Sequence, residues 1–148
     1  MSDDVAIVAG AGGALGRATT ATLAASGLTV VAVDRNEEGM RDLPGEVRRE
    51  VADPVDPAVA ARLIDRIAGE VGPPDVLVNT IGTFRPGDAL STTPEMLLLM
   101  IDINLGPALW LSQAVAGASH AAAGLGVPSC TCPPARGSSR LAAWRPTA

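Results

Sequence analysis

Three stretches of this chain consist of apolar residues that do not alternate with polar ones. Residues 5–9, residues 28–33 and the middle of residues 75–79 are apolar and rich in valine. Such runs are typical of strands that are buried on both faces of a parallel sheet. Residues 47–51 form a shorter segment whose charged side chains an edge strand would tolerate. The pattern therefore predicts four strands.

Segments with helical patterning separate and follow these strands. Residues 14–26 are small and apolar, and Asp56-Pro57 is a favourable helix start, because Asp can cap free amides and Pro fits the first position. A long apolar helix is expected from Thr93-Pro94 to about residue 118, with a kink at Pro107. The second helix carries its apolar residues on one face: Val59, Leu63, Ile64, Ile67 and Val71.

The alternation of strands and helices predicts an α/β fold, a Rossmann-like, doubly wound parallel sheet that is truncated after about four strands. We place this domain at residues 1–123. Residues 124–148 contain four prolines, both cysteines, three arginines and no acid, and prolines occupy the place where another central strand is due. An irregular tail is expected there, arising from a shifted reading frame or from divergence.

Charge and composition exclude several functions. All 16 acidic residues lie at or before Asp102, and the resulting acidic body is unsuited to nucleic acid, which needs clustered basic residues. The acidic N-terminus lacks a secretion leader, and no uninterrupted apolar stretch approaches the roughly 20 residues of a membrane span. We therefore expect a cytoplasmic protein without a membrane partner. Cys130, Cys132 and His120 are too few for a closed zinc site, so no metal is expected.

A glycine-rich turn follows the first strand and supplies the first candidate site. We expect Gly10, Gly12, Gly13, Leu15 and Gly16 to surround a pyrophosphate. Glycines allow the backbone to approach the phosphates closely, and the N-terminal amides of the following helix attract negative charge. The turn alone is weak evidence, because strand–helix turns without a ligand also contain glycines.

Asp34 strengthens this interpretation, because it ends the second strand eighteen residues after Gly16. A carboxylate there can accept hydrogen bonds from both ribose hydroxyls and would repel a 2′-phosphate, which favours NAD over NADP. The adjacent Arg35 is a candidate contact to phosphate or adenine, although a surface position is equally consistent. An S-adenosylmethionine-dependent methyltransferase would show a similar turn and acid. A phosphate-loop NTPase is excluded, because the chain has no lysine.

Over residues 5–123 the chain resembles the short-chain dehydrogenase/reductase family. The glycine spacing is similar to the family's cofactor loop, although many members have Gly at the position of Ala14. Asp34 corresponds to the acid that marks NAD preference, and Asp53 to the Asp that binds the adenine amino group. The segment Asn79-Thr80-Ile81-Gly82 resembles the family's Asn-Asn-Ala-Gly, with Asn79 and Gly82 kept. The resemblance thus adds Asp53, Asn79 and Gly82 to the expected cofactor site.

The resemblance also implies a chemistry, which is hydride transfer between a nicotinamide cofactor and an alcohol or ketone. Asn104 matches the family's catalytic Asn, which helps to hold a proton-relaying water. The family's Ser, Tyr and Lys would fall on Thr131, Trp144 and Ala148, and the chain has neither Tyr nor Lys. We therefore expect binding of a dinucleotide without turnover.

Two further expectations concern partners. A non-catalytic module that binds a dinucleotide or a partner protein is the alternative function. The last predicted strand and the long helix should expose apolar surface, which indicates a homo-oligomer or pairing with an intact relative. The substrate cannot be named from these residues.

Overall fold

A four-stranded parallel sheet forms the centre of the molecule. The computed structural model describes residues 4–124. The elements are, in chain order, β1 (Val5–Ala9), α1 (Ala14–Ala25), β2 (Thr29–Asp34), a 3₁₀ turn at Glu38–Met40, β3 (Arg48–Val51), α2 (Pro57–Glu70), β4 (Pro74–Asn79), α3 (Pro94–Asn104) and α4 (Gly106–Ala122). The predicted α/β, Rossmann-like fold with four strands is confirmed.

Across the sheet the strands are ordered β3-β2-β1-β4. From β1 the chain first adds β2 and β3 on one side, and it then returns to add β4 on the other side of β1. β1 pairs in parallel with β2 from Val5↔Thr29 to Ala9↔Val33. On its other side β1 pairs in parallel with β4, and the register shifts between Val5 and Ala6. The winding therefore reverses between β1 and β4. In open α/β sheets a reversal of this kind leaves a crevice at the carboxyl ends of the strands.

β1 and most of β2 are buried on both faces, as their unbroken apolar runs predicted, whereas most residues of β4 are only half-buried. Val5, Ile7 and Ala9 pack in one core with α2 and with Leu111 of α4. Ala6 and Val8 lie on the opposite face, in a second core that includes Leu23 of α1 and the segment after β2. Alternate residues of β1 therefore belong to different layers, which fixes the register of the strand.

Asp56 and Thr93 begin their helices in the way that the sequence predicted for Asp56-Pro57 and Thr93-Pro94. The Asp56 carboxylate accepts a hydrogen bond of 2.7 Å from Ala58 N. The Thr93 hydroxyl accepts one of 3.3 Å from Met96 N. A proline follows each cap, at a position where the backbone needs no donor.

The long apolar helix is two helices rather than one kinked helix. α3 ends at Asn104 and α4 begins at Gly106, with Leu105 between them. Pro107 lies in the first turn of α4, where its missing N–H leaves no hydrogen bond unmade, so it begins a helix instead of bending one. The sequence predicted an interruption at Gly106-Pro107, and the structure has it at Leu105, directly before these residues.

α3 and α4 together form the one stretch of residues 4–124, Pro94–Ala122, that is long and apolar enough to cross a membrane by length and composition. The sequence predicted no such stretch, because its apolar residues are interrupted by polar ones. The criterion is weak on its own, since core helices of soluble proteins meet it. Pro107 and Leu111 of α4 are buried against the sheet, whereas Leu97 and Leu98 of α3 are more than half exposed.

The segment between β2 and β3 contains structure that its polar sequence did not predict. The 3₁₀ turn at Glu38–Met40 buries Met40 completely in the second core. The guanidinium of Arg49 donates hydrogen bonds to the carbonyl oxygens of Met40, Leu43, Pro44 and Val47. The segment buries Leu43 and Val47 together with Met40, but Pro44-Gly45 interrupts these three residues, so they gave no signal of a regular element.

β3 lies at the edge of the sheet, as its charges predicted, and an ion-pair cluster joins it to α2. Glu50 accepts from Arg48 Nε at 2.8 Å and from Arg66 Nη2 at 2.7 Å. Arg48 also pairs with Glu70. The hydrogen bonds that the Arg48 guanidinium donates to Glu50 and Glu70 raise its pKa.

Several expectations concern residues outside the described range. They are the irregular tail, the two cysteines, and the correspondence of Thr131, Trp144 and Ala148 with the family's catalytic residues.

We predict that Thr20→Val stabilises the protein. Thr20 is fully buried in α1, and its hydroxyl has no hydrogen-bond partner among residues 4–124. Val has nearly the same shape and no polar group, so the free energy of unfolding should rise by about 1 kcal/mol in urea denaturation. Thr22→Val is the control, because the exposed Thr22 hydroxyl already donates to Ala18 O at 2.9 Å. If Thr20→Val lowered the free energy of unfolding and Thr22→Val did not, this would contradict a buried Thr20 hydroxyl without a partner.

We predict that Gly16→Ala destabilises the turn between β1 and α1. A Cβ atom at Gly16 would overlap the Gly10 carbonyl oxygen and lie 2.7 Å from Ala11 Cα. Such overpacking against backbone should lower the free energy of unfolding by about 2 kcal/mol. Gly69→Ala in α2 is the matched control, because a Cβ atom there meets open space. Equal stability of the two variants would show that the turn is not closely packed.

Candidate nucleotide-binding site

One crevice of about 630 Å³ lies beyond the carboxyl ends of the strands. It brings together seven of the residues predicted from the sequence: Gly10, Gly12, Gly13, Asp34, Arg35, Asp53 and Gly82. Leu15, Gly16, Asn79 and Asn104 do not line it. The crevice therefore unites the glycine turn with the end of β2 and with the loop after β4, although these segments are far apart in sequence.

The glycine turn is shaped by hydrogen bonds to both neighbouring strands. Gly10 N and Ala11 N both donate to Val33 O of β2, at 2.8 and 3.0 Å. Gly10 has a φ of +82°, which favours glycine. A Cβ atom at Gly10 would also lie 2.6 Å from the Thr80 hydroxyl oxygen. The positive φ and the lack of space for a Cβ atom therefore both require glycine at position 10.

The N-terminus of α1 faces the crevice without a cap from the described residues. Gly13 is the N-cap residue and has no side chain, and the first turn contains no acid. The amides at the start of α1, that of Leu15 included, therefore retain their partial positive charge. Leu15 itself is 68% exposed, so its expected contribution comes from its backbone and not from its side chain. An anion is the ligand that this helix end suits.

The Asp34 carboxylate bridges the turn and the loop that follows β2. Its Oδ2 atom accepts from Gly12 N at 2.9 Å, and its Oδ1 atom accepts from Asn36 N at 2.8 Å. Each carboxylate oxygen keeps further acceptor capacity. Arg35 is exposed beside it and also lines the crevice. The acid is thus held in place by two amides while it can still accept ribose hydroxyls.

Thr80 joins β4 to the glycine turn, and sequence reasoning treated it only as a departure from the family pattern. Its hydroxyl oxygen lies 2.8 Å from Ala9 O and 3.1 Å from Gly10 O, and its amide donates to Ala9 O at 2.8 Å. A small hydroxyl after a buried strand is too common to signal this contact. Ile81, the second departure, lines the crevice and packs on the first core.

Asn79 and Asn104 shape the loop after β4. Asn79 Oδ1 accepts from Ile81 N at 3.3 Å. Asn104 Oδ1 accepts from Thr83 N at 2.9 Å, and its amide nitrogen donates to Met100 O at 2.7 Å. A Cβ atom at Gly82 would lie 2.8 Å from Asn104 Oδ1, so Gly82 makes this contact possible. Both polar atoms of the Asn104 side chain therefore hold backbone groups, and its expected catalytic role stays a prediction.

Asp53 lies on the same side of the crevice as the end of β2. Its side chain is exposed, and its one local contact is a long 3.4 Å hydrogen bond from Val55 N. The carboxylate is consequently available to a ligand such as an amino group. Within residues 4–124 there is no group of His, Cys, Asp and Glu that could hold a metal ion.

Comparisons with known proteins agree with this arrangement. Residues 4–125 match the family model described as short chain dehydrogenase. The chain is 37% identical over 116 residues to L-xylulose reductase of Cavia porcellus, covering 75% of this chain and 45% of that protein. It is 36% identical over 107 residues to 2,3-dihydro-2,3-dihydroxybenzoate dehydrogenase of Bacillus subtilis, covering 68% and 41% respectively.

Solved structures give the same result. A variant of actinorhodin polyketide ketoreductase, solved with NADPH, superimposes with a TM-score of 0.73 at 26% identity. The match covers 81% of this chain and 49% of that chain. The chain thus spans less than half the length of each of these three proteins.

Members of this family are oxidoreductases that use a nicotinamide dinucleotide, and the crevice described above lies where the winding of the sheet reverses. Sequence, fold and site lead to the same conclusion: the chain belongs to the short-chain dehydrogenase/reductase family.

Proposed function

We propose that this chain binds NAD by its adenosine diphosphate half and does not by itself catalyse hydride transfer. The observation that carries the proposal is that one crevice contains both a partly positive helix N-terminus and a carboxylate. The uncapped N-terminus of α1 lies on one side, and the Asp34 carboxylate lies on the other, 2.9 Å from Gly12 N. The first suits a pyrophosphate, and the second suits the hydroxyls of a ribose.

Each part of the nucleotide has a matching group in the crevice. The pyrophosphate would lie against the amides of Ala14 and Leu15, where the helix dipole adds to the hydrogen bonds, whereas Gly13 N already donates to Gly10 O at 3.1 Å. The adenine-side ribose would bind Asp34. The exposed Asp53 carboxylate would accept from the adenine amino group, and Arg35 would lie beside the adenine or the ribose. Gly82 would leave space at the nicotinamide end.

Charge supports NAD over NADP. A 2′-phosphate would approach the Asp34 carboxylate, and two of the three nearby arginines already have other partners. Arg41 pairs with Glu38 at 3.2 Å, and the guanidinium of Arg49 is occupied by backbone carbonyls. Of Arg35, Arg41 and Arg49, Arg35 is the one without such a contact in the described part of the chain. The relative solved with NADPH keeps NADP as the competing cofactor.

The absence of turnover follows from the side chains that the family's chemistry requires. Hydride transfer to a carbonyl needs a proton donor, which in the family is a Tyr beside a Lys. The chain contains neither residue. General acid–base catalysis contributes about 10²–10⁴-fold to a rate, and its loss leaves no route for the proton. The substrate class accordingly stays open, and alcohols and ketones are the chemistry that the family implies.

The alternatives differ in what supports them. The family match favours a nicotinamide dinucleotide over S-adenosylmethionine. A partner-binding role is supported by the exposed apolar side chains of α3, among them Leu97, Leu98 and Ile101. Pairing with a second copy or with an intact relative in the cytoplasm is therefore part of the proposal.

The cofactor proposal predicts a preference that isothermal titration calorimetry can measure. NAD should bind the full chain about tenfold more tightly than NADP, because the Asp34 carboxylate repels a 2′-phosphate. Asp34→Asn should reduce this ratio to about one, while Glu37→Gln, which removes a neighbouring exposed charge, should leave it unchanged. Equal affinities for NAD and NADP in the unsubstituted chain would contradict the assignment of Asp34.

The second part of the proposal predicts no oxidoreductase activity. The full chain, incubated with NAD and a panel of alcohols and sugar alcohols, should form no NADH above a protein-free blank at 340 nm. An intact family member assayed in the same way is the positive control. A rate that follows the purified chain through two orthogonal columns would contradict the proposal. Absence of both binding and activity would favour the partner-binding alternative.

A further inference from the structure

The segment that connects β2 to β3 touches the glycine turn, and the contact is made by backbone against backbone. A Cβ atom at Gly39 would lie 3.0 Å from Gly12 Cα and 3.2 Å from Gly12 O. Conversely, a Cβ atom at Gly12 would lie 3.3 Å from Gly39 Cα. The two glycines therefore pack directly on each other, at a spacing that leaves no room for a methyl group on either side.

Gly39 belongs to a well-anchored piece of chain. The next residue, Met40, is fully buried in the second core, and the carbonyl oxygen of Met40 accepts from Arg49 Nε at 3.0 Å. Asn36 Oδ1 accepts from Glu38 N at 3.1 Å, which fixes the beginning of the same turn. Burial in the second core and a hydrogen bond from β3 therefore both anchor this segment.

Gly12 is also held by other contacts. Its amide donates to Asp34 Oδ2 at 2.9 Å, and its carbonyl oxygen accepts from Arg17 Nη1 at 3.1 Å. The Gly39 contact adds a support that acts through packing instead of a hydrogen bond. Three separate elements, β2, α1 and the 3₁₀ turn, therefore determine where the backbone of Gly12 lies.

We infer that Gly39, which lines the edge of the crevice, is a positioning residue for the nucleotide site and supports it through Gly12. This inference rests on the proposed function, since the site that it supports is the proposed pyrophosphate and ribose site. Gly12 and Asp34 share a hydrogen bond, so a displacement of Gly12 moves the carboxylate away from the ribose hydroxyls. The 3₁₀ turn is thereby part of the binding site through Gly39, which lines the crevice.

The substitution that tests this is Gly39→Ala, and Gly45→Ala is its matched control. Gly45 lies in the same segment, and a Cβ atom there meets nothing within 4 Å. Neither glycine has a positive φ, so Ala suits both backbones. The added methyl group at Gly39 must move Gly12 by a few tenths of an ångström. Because this movement weakens the hydrogen bond between Gly12 N and Asp34, we expect NAD to bind about fivefold more weakly.

Two further measurements separate positioning from a general loss of stability. The unsubstituted chain should bind ADP about tenfold more tightly than 2′-deoxy-ADP, because the 2′-hydroxyl donates to a charged acceptor. In Gly39→Ala this ratio should fall toward one, whereas Gly45→Ala should preserve it. The Gly12 amide should exchange its hydrogen with solvent about threefold faster in Gly39→Ala without any ligand, as its bond to Asp34 weakens.

Each outcome has one meaning. Unchanged NAD affinity and unchanged Gly12 exchange in Gly39→Ala would overturn the inference. A variant that loses its circular dichroism spectrum would also overturn it, because Gly39 would then support the fold and not the site specifically. If neither the unsubstituted chain nor Gly45→Ala binds NAD, the proposed function fails. The Gly12 exchange rate then still decides whether Gly39 positions the turn.

Discussion

The carbonyl oxygen of Gly10 is the point at which the sheet, the first helix and the candidate site meet. It accepts from Gly13 N at 3.1 Å and lies 3.1 Å from the Thr80 hydroxyl oxygen, and α1 packs against it at Gly16. A side chain at Gly16 would separate α1 from β1, and a side chain at Gly10 would separate β1 from β4. The crevice therefore depends on a backbone approach that glycine alone permits.

Much of the fold could be predicted from the sequence, because several of its elements are determined by residues within a single segment. β1 and β2 are covered on both faces, so their sequences are apolar without interruption, and their bounds were predicted to within a residue. Asp56-Pro57 and Thr93-Pro94 began helices because capping is a local interaction that needs few residues. The glycine turn and Asp34 were found for the same reason. Each is determined by its own segment and its place after a strand.

The remaining features depend on contacts between distant segments. The burial of Met40 and the contact of Gly39 with Gly12 require β2 to lie beside β1, which no pattern within residues 35–47 expresses. The Thr80 hydroxyl reaches Ala9 and Gly10 only after β4 has paired with β1. Asn104 was recognised by family resemblance, but its hydrogen bond to Thr83 N comes from the way the chain returns to the loop after β4. These contacts are tertiary, and they make the site.

The chain has groups that suit a bound dinucleotide, but it lacks side chains that the family uses for proton transfer. The described residues carry groups that suit an adenosine diphosphate, including an uncapped helix N-terminus and two exposed or partly exposed carboxylates. No residue of the chain can act as the phenolic proton donor, because Tyr is absent. The proposed binding thus rests on the backbone at the end of β1, and the proposed lack of turnover rests on the absence of Tyr and Lys.

The most direct test of this account is a titration of the ¹⁵N-labelled chain with ADP-ribose, followed by the shifts of backbone amide signals. The account predicts that the largest changes occur in residues 10–16, at Asp34 and at Gly39, and that the amides of α2 stay unchanged. Saturable binding whose shifts instead cluster on α3 and α4, with residues 10–16 unaffected, would contradict it.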